Sequence, residues 1–560
     1  MTPFRSVLLI VLAAGASGCA VDGVRQGQAE SALYGDYLIG RYADLQRSDA
    51  IATTRYLSAL RLAPRDQTLL KGAVESALAA GDIPRAEQAA LLARKQNAEN
   101  ELGRMTLAAI ALRDGKYPAA SATLAHMPAG VLDRTAAQML SAWAMAGQGK
   151  VGDALAAISA GRSDTILTRM ALSQSAILLD YSGETDLALA AYERAEKSGF
   201  RGSSAILLHG ALLERAGRSP DAEKLYRSAN SPTADDPAVR AALARLQAGG
   251  KPPPAPTVAQ GAALGLFTLA GAVVGQIDVD YYLPYLTLAQ ALDPDLASAW
   301  LVAGEAQREI GKPIQARTTL QHIAPTSPWY EVAQTRVAMS YRDEGNNDEA
   351  LAVAKAVVDR TNGRLARVTL ADIGRGAEKW TDAEAIYSGL IAESQPAKPS
   401  DWSLYFARAA CREQLDRWPE AEADLKRALQ LAPDQPEALN FLGYSWVSKG
   451  KNLSEGLALL QKAVSLRPDS GYIIDSLGWA QFQLGEYAAA VDTLESAVSM
   501  DPQDPELNEH LGDAYWRVGR RIEARFQWAR ALGQNPAKED KPELEKKVKV
   551  GLPPAPRTPR

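Results

Sequence analysis

The chain has little with which to build a reactive centre. Its 560 residues include two cysteines, Cys19 and Cys411, so no disulfide framework is implied. The four histidines, His126, His209, His322 and His510, are widely scattered, which argues against a histidine-built metal site and leaves carboxylate sites open. H-E-x-x-H, P-loop and C-x-x-C patterns are all missing. The net charge of −5 is small for this length and offers no basic field to nucleic acid. No run rich in valine, isoleucine and threonine points to a sheet. The apolar run from Gly261 to Gly275 is bracketed by Gln260 and Gln276. It falls short of the roughly 20 residues that a bilayer span needs. We expect it instead as a buried first helix of a repeat closed by Ala289 and Pro294.

What the chain does have is apolar residues at helical spacing and a period. Hydrophobic residues make up 47% and charged residues 23%, enough for a large core. Between Pro436 and Pro536, Gly443, Gly478 and Gly512 recur at intervals of 35 and 34 residues. Ala463, Ala497 and Ala531 recur at 34, as do Pro468, Pro502 and Pro536. A 34-residue period with an early small residue, a late alanine and a closing proline is that of the tetratricopeptide repeat, a helix–turn–helix unit. The glycine is expected where two helices approach closely, and the alanine where the second helix nests on the next repeat. The proline ends the second helix because it has no N–H to extend the ladder. The extra residue in the first interval falls in the turn Lys449-Gly450-Lys451-Asn452.

Taken from the start, Arg5, the apolar run Val7–Ala14 and then Ala16-Ser17-Gly18-Cys19 resemble a bacterial lipoprotein signal peptide, with Cys19 as the residue that takes the lipid; the rival reading is an ordinary cleaved secretory signal with an incidental cysteine. Acyl chains at about 0.8 kcal/mol per buried CH₂ would hold the protein on a membrane. Ala20 and Val21 follow the cysteine, with no aspartate directly after it, which by resemblance to enterobacterial sorting rules favours the outer membrane. The expected organisation is a signal peptide over 1–18, a lipidated tether over 19–30, and an N-terminal superhelix of degenerate repeats over 31–248. A Pro-rich linker follows over 249–260, then a C-terminal superhelix over 261–536 and a charged, Pro-rich tail over 537–560. In the N-terminal half the marks are Gly40, Ala52, Ala59 and Pro64, then alanine pairs such as Ala86/Ala93 and Ala108/Ala120. Lys541–Val550 reads as a short capping helix, and the residues from Gly551 as disordered. The fold class is all-α, a tetratricopeptide superhelical solenoid of about fourteen repeats.

Candidate chemistry is sparse. Cys411 falls where a small residue packs inside a first helix, which fits an inert thiol. Glu509-His510-Leu511-Gly512-Asp513 reads as a polar helix face in preference to a metal site. A solenoid without a catalytic cluster is a binding surface, and the first helices of its repeats line the inner face. Helical phase relative to the three glycines turns Asn440, Tyr444, Asp475, Trp479, Glu509, Asp513 and Trp516 inward. That set is acidic and aromatic, suited to a protein partner with basic residues. The competing reading of Trp479 and Trp516 is plain packing between helices. No cofactor and no metal is implied.

Leu439–Tyr444, Tyr472–Trp479 and Asn508–Arg520 resemble the C-terminal block of long tetratricopeptide lipoproteins of proteobacteria. Gly265-Leu266-Phe267 and the run around Tyr285–Ala289 resemble the middle of that family. Some members are adaptors on the outer membrane. They bind a periplasmic carboxyl-terminal-processing serine protease and bring it peptidoglycan hydrolases. The resemblance implies a non-enzymatic, lipid-anchored scaffold with that protease and its substrates as partners. The rival expectations are a scaffold for polysaccharide export or outer-membrane protein insertion, and a hydrolase with a cryptic site.

Overall fold

The structure is a computed structural model that describes residues 22–98, 100–126, 130–159, 165–199, 202–229 and 236–554. Thirty α-helices and one short 3-10 turn, with no strand, make up the regular structure of those residues. The chain divides into two compact units, Met1–Asn346 and Asn347–Arg560.

In the first unit twelve helices pair into six successive antiparallel hairpins. They are α1 (Asp22–Leu45) with α2 (Asp49–Ala59), α3 (Gln67–Ala79) with α4 (Ile83–Lys95), and α5 (Glu101–Arg113) with α6 (Tyr117–Thr123). Then come α7 (Val131–Gly147) with α8 (Val151–Ser159), α9 (Thr165–Tyr181) with α10 (Thr185–Lys197), and α11 (Ser203–Arg215) with α12 (Ser219–Ala229). The single helix α13 (Pro237–Gln247) closes the series. Five of the hairpin turns hold a glycine in the left-handed region: Gly81, Gly115, Gly149, Gly183 and Gly217, with φ from 73 to 80°. A side chain there would meet its own carbonyl, so glycine is the residue that turns the first helix into the second without strain.

The next hairpin does something different. α14 (Val258–Val273) and α15 (Val279–Leu292) pack across the first helices α3, α5, α7 and α9. They fill the inner face of the unit with Leu264, Leu266, Leu269, Leu283, Leu286 and Leu288, all buried. At about 1.5–3 kcal/mol for each large apolar side chain, this hairpin is a principal part of the core. Its polar atoms are matched too. Thr287 Oγ1 donates to the Leu78 carbonyl at 2.9 Å, and Tyr285 Oη to Asp133 at 2.5 Å. The expectation of a buried helix at Gly261–Gly275 agrees with this packing, and no described helix is long and apolar enough to cross a membrane. α16 (Ala297–Glu309), α17 (Pro313–Leu320) and α18 (Tyr330–Asp343) complete the unit. Lys312, at the start of α17, pairs with Asp49 of α2 in a buried ion pair.

The second unit runs through α19 (Asn347–Thr361), α20 (Arg364–Gly376), α21 (Trp380–Glu393), α22 (Trp402–Gln414) and α23 (Trp418–Leu431). It continues through α24 (Pro436–Ser448), α25 (Leu453–Leu466), α26 (Gly471–Gln483) and α27 (Tyr487–Met500), and ends with α28 (Pro505–Arg517), α29 (Arg521–Gly533) and α30 (Lys541–Val550). From α20 to α29 these form five hairpins. Ala463, Ala497 and Ala531 are fully buried, and each closing proline lies two or three residues past a helix end. The inserted residue falls in the turn before α25, where both Gly450 and Asn452 take positive φ.

Three expectations need correction. The Pro-rich stretch does not separate two units; it lies inside the first. Residues 251–257 run non-helically, and the Pro253 carbonyl accepts from Arg215 at 2.7 Å, so the stretch leads the chain from α13 back to the inner face. The tether expected up to residue 30 is helical from Asp22, in a run of glutamine, alanine and glutamate that favours helix. Residues 551–554 of the tail pack on the last hairpin: Gly551 is buried and the Pro553 carbonyl accepts from Arg517 at 2.6 Å. Cys19 and the segment expected as a signal peptide lie outside the described residues.

Candidate partner-binding surface

The early glycines do more than let helices approach. A Cβ on Gly478 would lie 2.6 Å from the Leu494 side chain, and one on Gly512 would lie 2.5 Å from the Trp528 indole. The same sixteen-residue offset joins Gly40 to Tyr56, Gly210 to Tyr226 and Gly304 to Leu320. Each glycine therefore seats a large side chain of the following helix. Gly443 is the close backbone contact, with the Gly456 carbonyl 2.7 Å from its Cβ position. This packing fixes the rotation of α24, α26 and α28, whose inner sides adjoin one another.

On that inner side Asp475 of α26 accepts from His510 of α28 at 2.9 Å. The His510 ring stacks on Trp479, centroids 4.0 Å apart, and Trp479 stacks on Phe482 at 4.7 Å. Burial works against the His510 imidazolium, but the carboxylates of Asp475, Glu506 and Asp513 outweigh it and hold the pKa above its usual value. One repeat further, Lys547 of α30 reaches the Glu509 carboxylate at 2.6 Å and that of Asp513 at 2.8 Å. Asp513 also accepts from Trp528 Nε1 at 2.8 Å. Burial raises the Asp513 pKa even so. Burial likewise opposes the Lys547 charge, and the two carboxylates reverse it.

The seven residues placed inward by phase thus have distinct surroundings. Asp475 and Trp479 meet at His510, and Glu509 and Asp513 meet at Lys547. Trp516 is half-buried beneath Gly551, with Arg521 and Arg525 over its ring. Tyr444 is half-buried, and burial raises its hydroxyl pKa. Asn440 is buried and donates to Ser476 Oγ at 3.2 Å, so it braces one repeat against the next. Tyr472, 67% exposed, and Glu506 carry the free edge of this face. Sequence phase missed Lys547, since a lysine in a charged tail gives no sign of burial. It passed over His510 as polar surface because its partner Asp475 belongs to the preceding repeat.

The first unit offers two further surfaces. Tyr34, Leu38, Tyr42 and Leu45 stand 63–74% exposed along one face of α1. A cavity of about 580 Å³ beside α15 is lined by Asp44, Asp49, Glu75, Glu101, Asp133 and Asp280, with Arg47 and Lys71 on its wall. Among the described residues no group of three or more histidine, cysteine or carboxylate side chains is placed to hold a metal ion. Cys411 is buried, and burial pushes its thiol pKa up to about 11.

The fold is that of a tetratricopeptide-repeat solenoid. Comparison with known proteins agrees at that level. The family described as "Tetratricopeptide repeat" matches residues 174–237, 368–436 and 406–471, and that described as "TPR repeat" matches 478–519. The chain is 33% identical over 123 residues to the TPR repeat-containing protein PA4667 of Pseudomonas aeruginosa, a match covering 22% of this chain and 21% of that protein. It is 22% identical over 209 residues to Superkiller protein 3 of Schizosaccharomyces pombe, covering 36% of this chain and 15% of that one. The chain therefore spans about a fifth or less of the length of these curated relatives. A tetratricopeptide repeat protein from Parabacteroides merdae superposes with a TM-score of 0.38 at 17% identity, over 45% of this chain and 98% of that chain.

Proposed function

We propose that this chain is a non-enzymatic, lipid-anchored scaffold on the periplasmic face of the outer membrane. It recruits a carboxyl-terminal-processing serine protease and presents its substrates, peptidoglycan hydrolases. The observation that carries an adaptor reading is that the chain has plugged one inner face with its own α14–α15 hairpin and left other surfaces open. The open surfaces differ in chemistry. One is the apolar stripe of α1; the other is the acidic and aromatic edge at Tyr472 and Glu506. An adaptor needs two such surfaces, because holding enzyme and substrate together raises effective concentration, to the millimolar range for short flexible links. The resemblance of Leu439–Tyr444, Tyr472–Trp479 and Asn508–Arg520 to envelope adaptors supplies the identity of the partners, and the Cys19 signal supplies the anchor. The raised pKa of Cys411 supports a scaffold role, since a protonated thiol is a poor nucleophile.

The test is affinity capture of the tagged chain from envelope extracts. We expect recovery of a serine protease and of peptidoglycan hydrolases. Recovery of polysaccharide-export or outer-membrane-insertion proteins without a protease would overturn the adaptor reading. Fatty-acid labelling should be lost in Cys19→Ala; equal labelling rejects the anchor. Sustained turnover of peptidoglycan by the pure chain would reject the non-enzymatic assignment.

A further inference from the structure

The last hairpin shows what kind of segment its inner face holds, because one is already there. α30 buries two side chains, Leu544 and Lys547, while most of its other residues are exposed. Leu544 packs in the apolar cluster of Leu511, Tyr515 and Trp528. Lys547 is clasped between Glu509 and Asp513. Arg525 Nε donates to the Val548 carbonyl at 3.2 Å, and Arg517 to that of Pro553 at 2.6 Å. Gly551 lies on Trp516 so closely that a Cβ would be 2.0 Å from the indole, and its φ of 76° suits glycine alone. Three positions are thus read with different chemistry: an apolar one, a lysine three residues on, and a glycine four further.

A cap selected only for stability would be apolar here. A buried ammonium and carboxylate pair loses about as much to desolvation as it gains by attraction, and what it adds is selectivity. α30 and the residues just after it are held by Leu544, Val548 and Leu552 on the apolar cluster, by the Lys547 ion pairs, and by carbonyls that accept from Arg517 and Arg525. Selectivity of this kind has a use where more than one segment competes for a site.

We propose that Glu509, Asp513 and Trp516 form a docking site for a partner protein's helix with the pattern apolar-x-x-Lys-x-x-x-Gly, and that α30 is a resident occupant which such a helix displaces. This rests on the reading of the second unit's inner face as a protein-binding surface, and it specifies the chemistry of the partner. Charge complementarity decides for a lysine-bearing helix: the carboxylate pair faces the site, and Arg521 and Arg525 flank Trp516 where an arginine or lysine at the glycine position would be repelled.

The test uses the full chain and a labelled peptide of residues 538–554 as the probe, read by fluorescence anisotropy. In a chain carrying Leu544→Asp and Lys547→Ser, α30 leaves the site and the peptide binds at least tenfold tighter than to the unmodified chain. Peptides with K547M or G551A bind at least tenfold more weakly than the parent, as does the parent peptide when the released chain also carries Asp513→Asn. Equal binding of the parent and G551A peptides overturns the proposal and leaves α30 a structural cap. So does binding that appears only with self-association of the released chain in sedimentation. Should releasing α30 loosen the last hairpin, the unmodified chain decides. Excess peptide must then quicken amide exchange in residues 541–550, and unchanged exchange overturns the proposal. Failure here leaves the capture from envelope extracts standing, and failure of that capture leaves the peptide result standing.

Discussion

Gly261 of α14 lies against the indole of Trp143 in α7, so that a Cβ on the glycine would fall 2.1 Å from Trp143 Cζ2. The tryptophan cannot yield. It is fully buried, and its Nε1 donates to Gln174 Oε1 at 2.8 Å. This contact seats the inward hairpin of the first unit.

Gly261→Val must therefore destabilise that unit, by about 1–3 kcal/mol from overpacking. Gly271, further along the same helix, has nothing within 4 Å of its Cβ position. Gly271→Ala should stabilise by about 0.4–1 kcal/mol, since it removes unfolded-state freedom without a clash. Urea unfolding of the two variants gives shifts of opposite sign. Equal shifts would mean that α14 is not seated on Trp143.

The His510–Asp475 pair makes the second unit sensitive to pH near neutrality. The folded pKa of His510 lies above 6.5, held there by Asp475, Glu506 and Asp513 against the effect of burial. Between the two values the folded state binds more protons than the unfolded one. The stabilisation is thus fully present below pH 6.5 and is lost as pH rises through the folded pKa. Glu506 and Asp513 are also raised by burial, from ordinary values of 4.5 and 3.8, so they lose stability with rising pH in the same direction, beginning on the acid side; Lys547, raised from 10.5, titrates on the alkaline side. Thermal melting between pH 6 and 9 should fall with rising pH in the parent chain and fall less steeply in His510→Gln. A parallel slope in both chains would assign the effect to other groups.

The turns show how much of this fold was readable in advance. The C-terminal trio was legible because glycine, alanine and proline mark each repeat at once. In the N-terminal half those marks thin out, and alanine pairs gave only an approximate register. Yet Gly81, Gly115, Gly149, Gly183 and Gly217 stand 34 residues apart, every one in a left-handed turn. The hairpin turn, which needs one backbone conformation, holds the period better than the packing positions, where leucine, tyrosine or tryptophan can each fill the space over a glycine. Two of the second unit's turns replace this glycine with Glu378 and Asp416, at φ of 59 and 57°. Glu378→Gly should therefore stabilise by roughly 0.5–1 kcal/mol, less than the ~1–2 kcal/mol cost of the left-handed conformation because glycine frees the unfolded chain. Gly183→Ala should lose a similar amount. Differential scanning calorimetry reads both, and a destabilised Glu378→Gly chain would refute the argument.

The inward hairpin was legible only as a buried helix, since nothing local says which face receives it. Its 209-residue bond from Thr287 to Leu78 and the pairing of Lys312 with Asp49 are tertiary facts. That ion pair gives a sharp test of why the unit closes as it does. Both side chains are buried, and burial raises the Asp49 pKa even with Lys312 beside it. Lys312→Met should cost about 3–5 kcal/mol, because it leaves a carboxylate buried without its counter-charge. Asp49→Leu should cost a comparable amount through the stranded ammonium. The double replacement removes both desolvation penalties together and should come within about 1 kcal/mol of the parent chain. A cycle measured by chemical denaturation would show this as strong coupling. Additive losses would mean that the pair is solvated in the folded state, and that apolar packing of α14 and α15 alone holds the first unit closed.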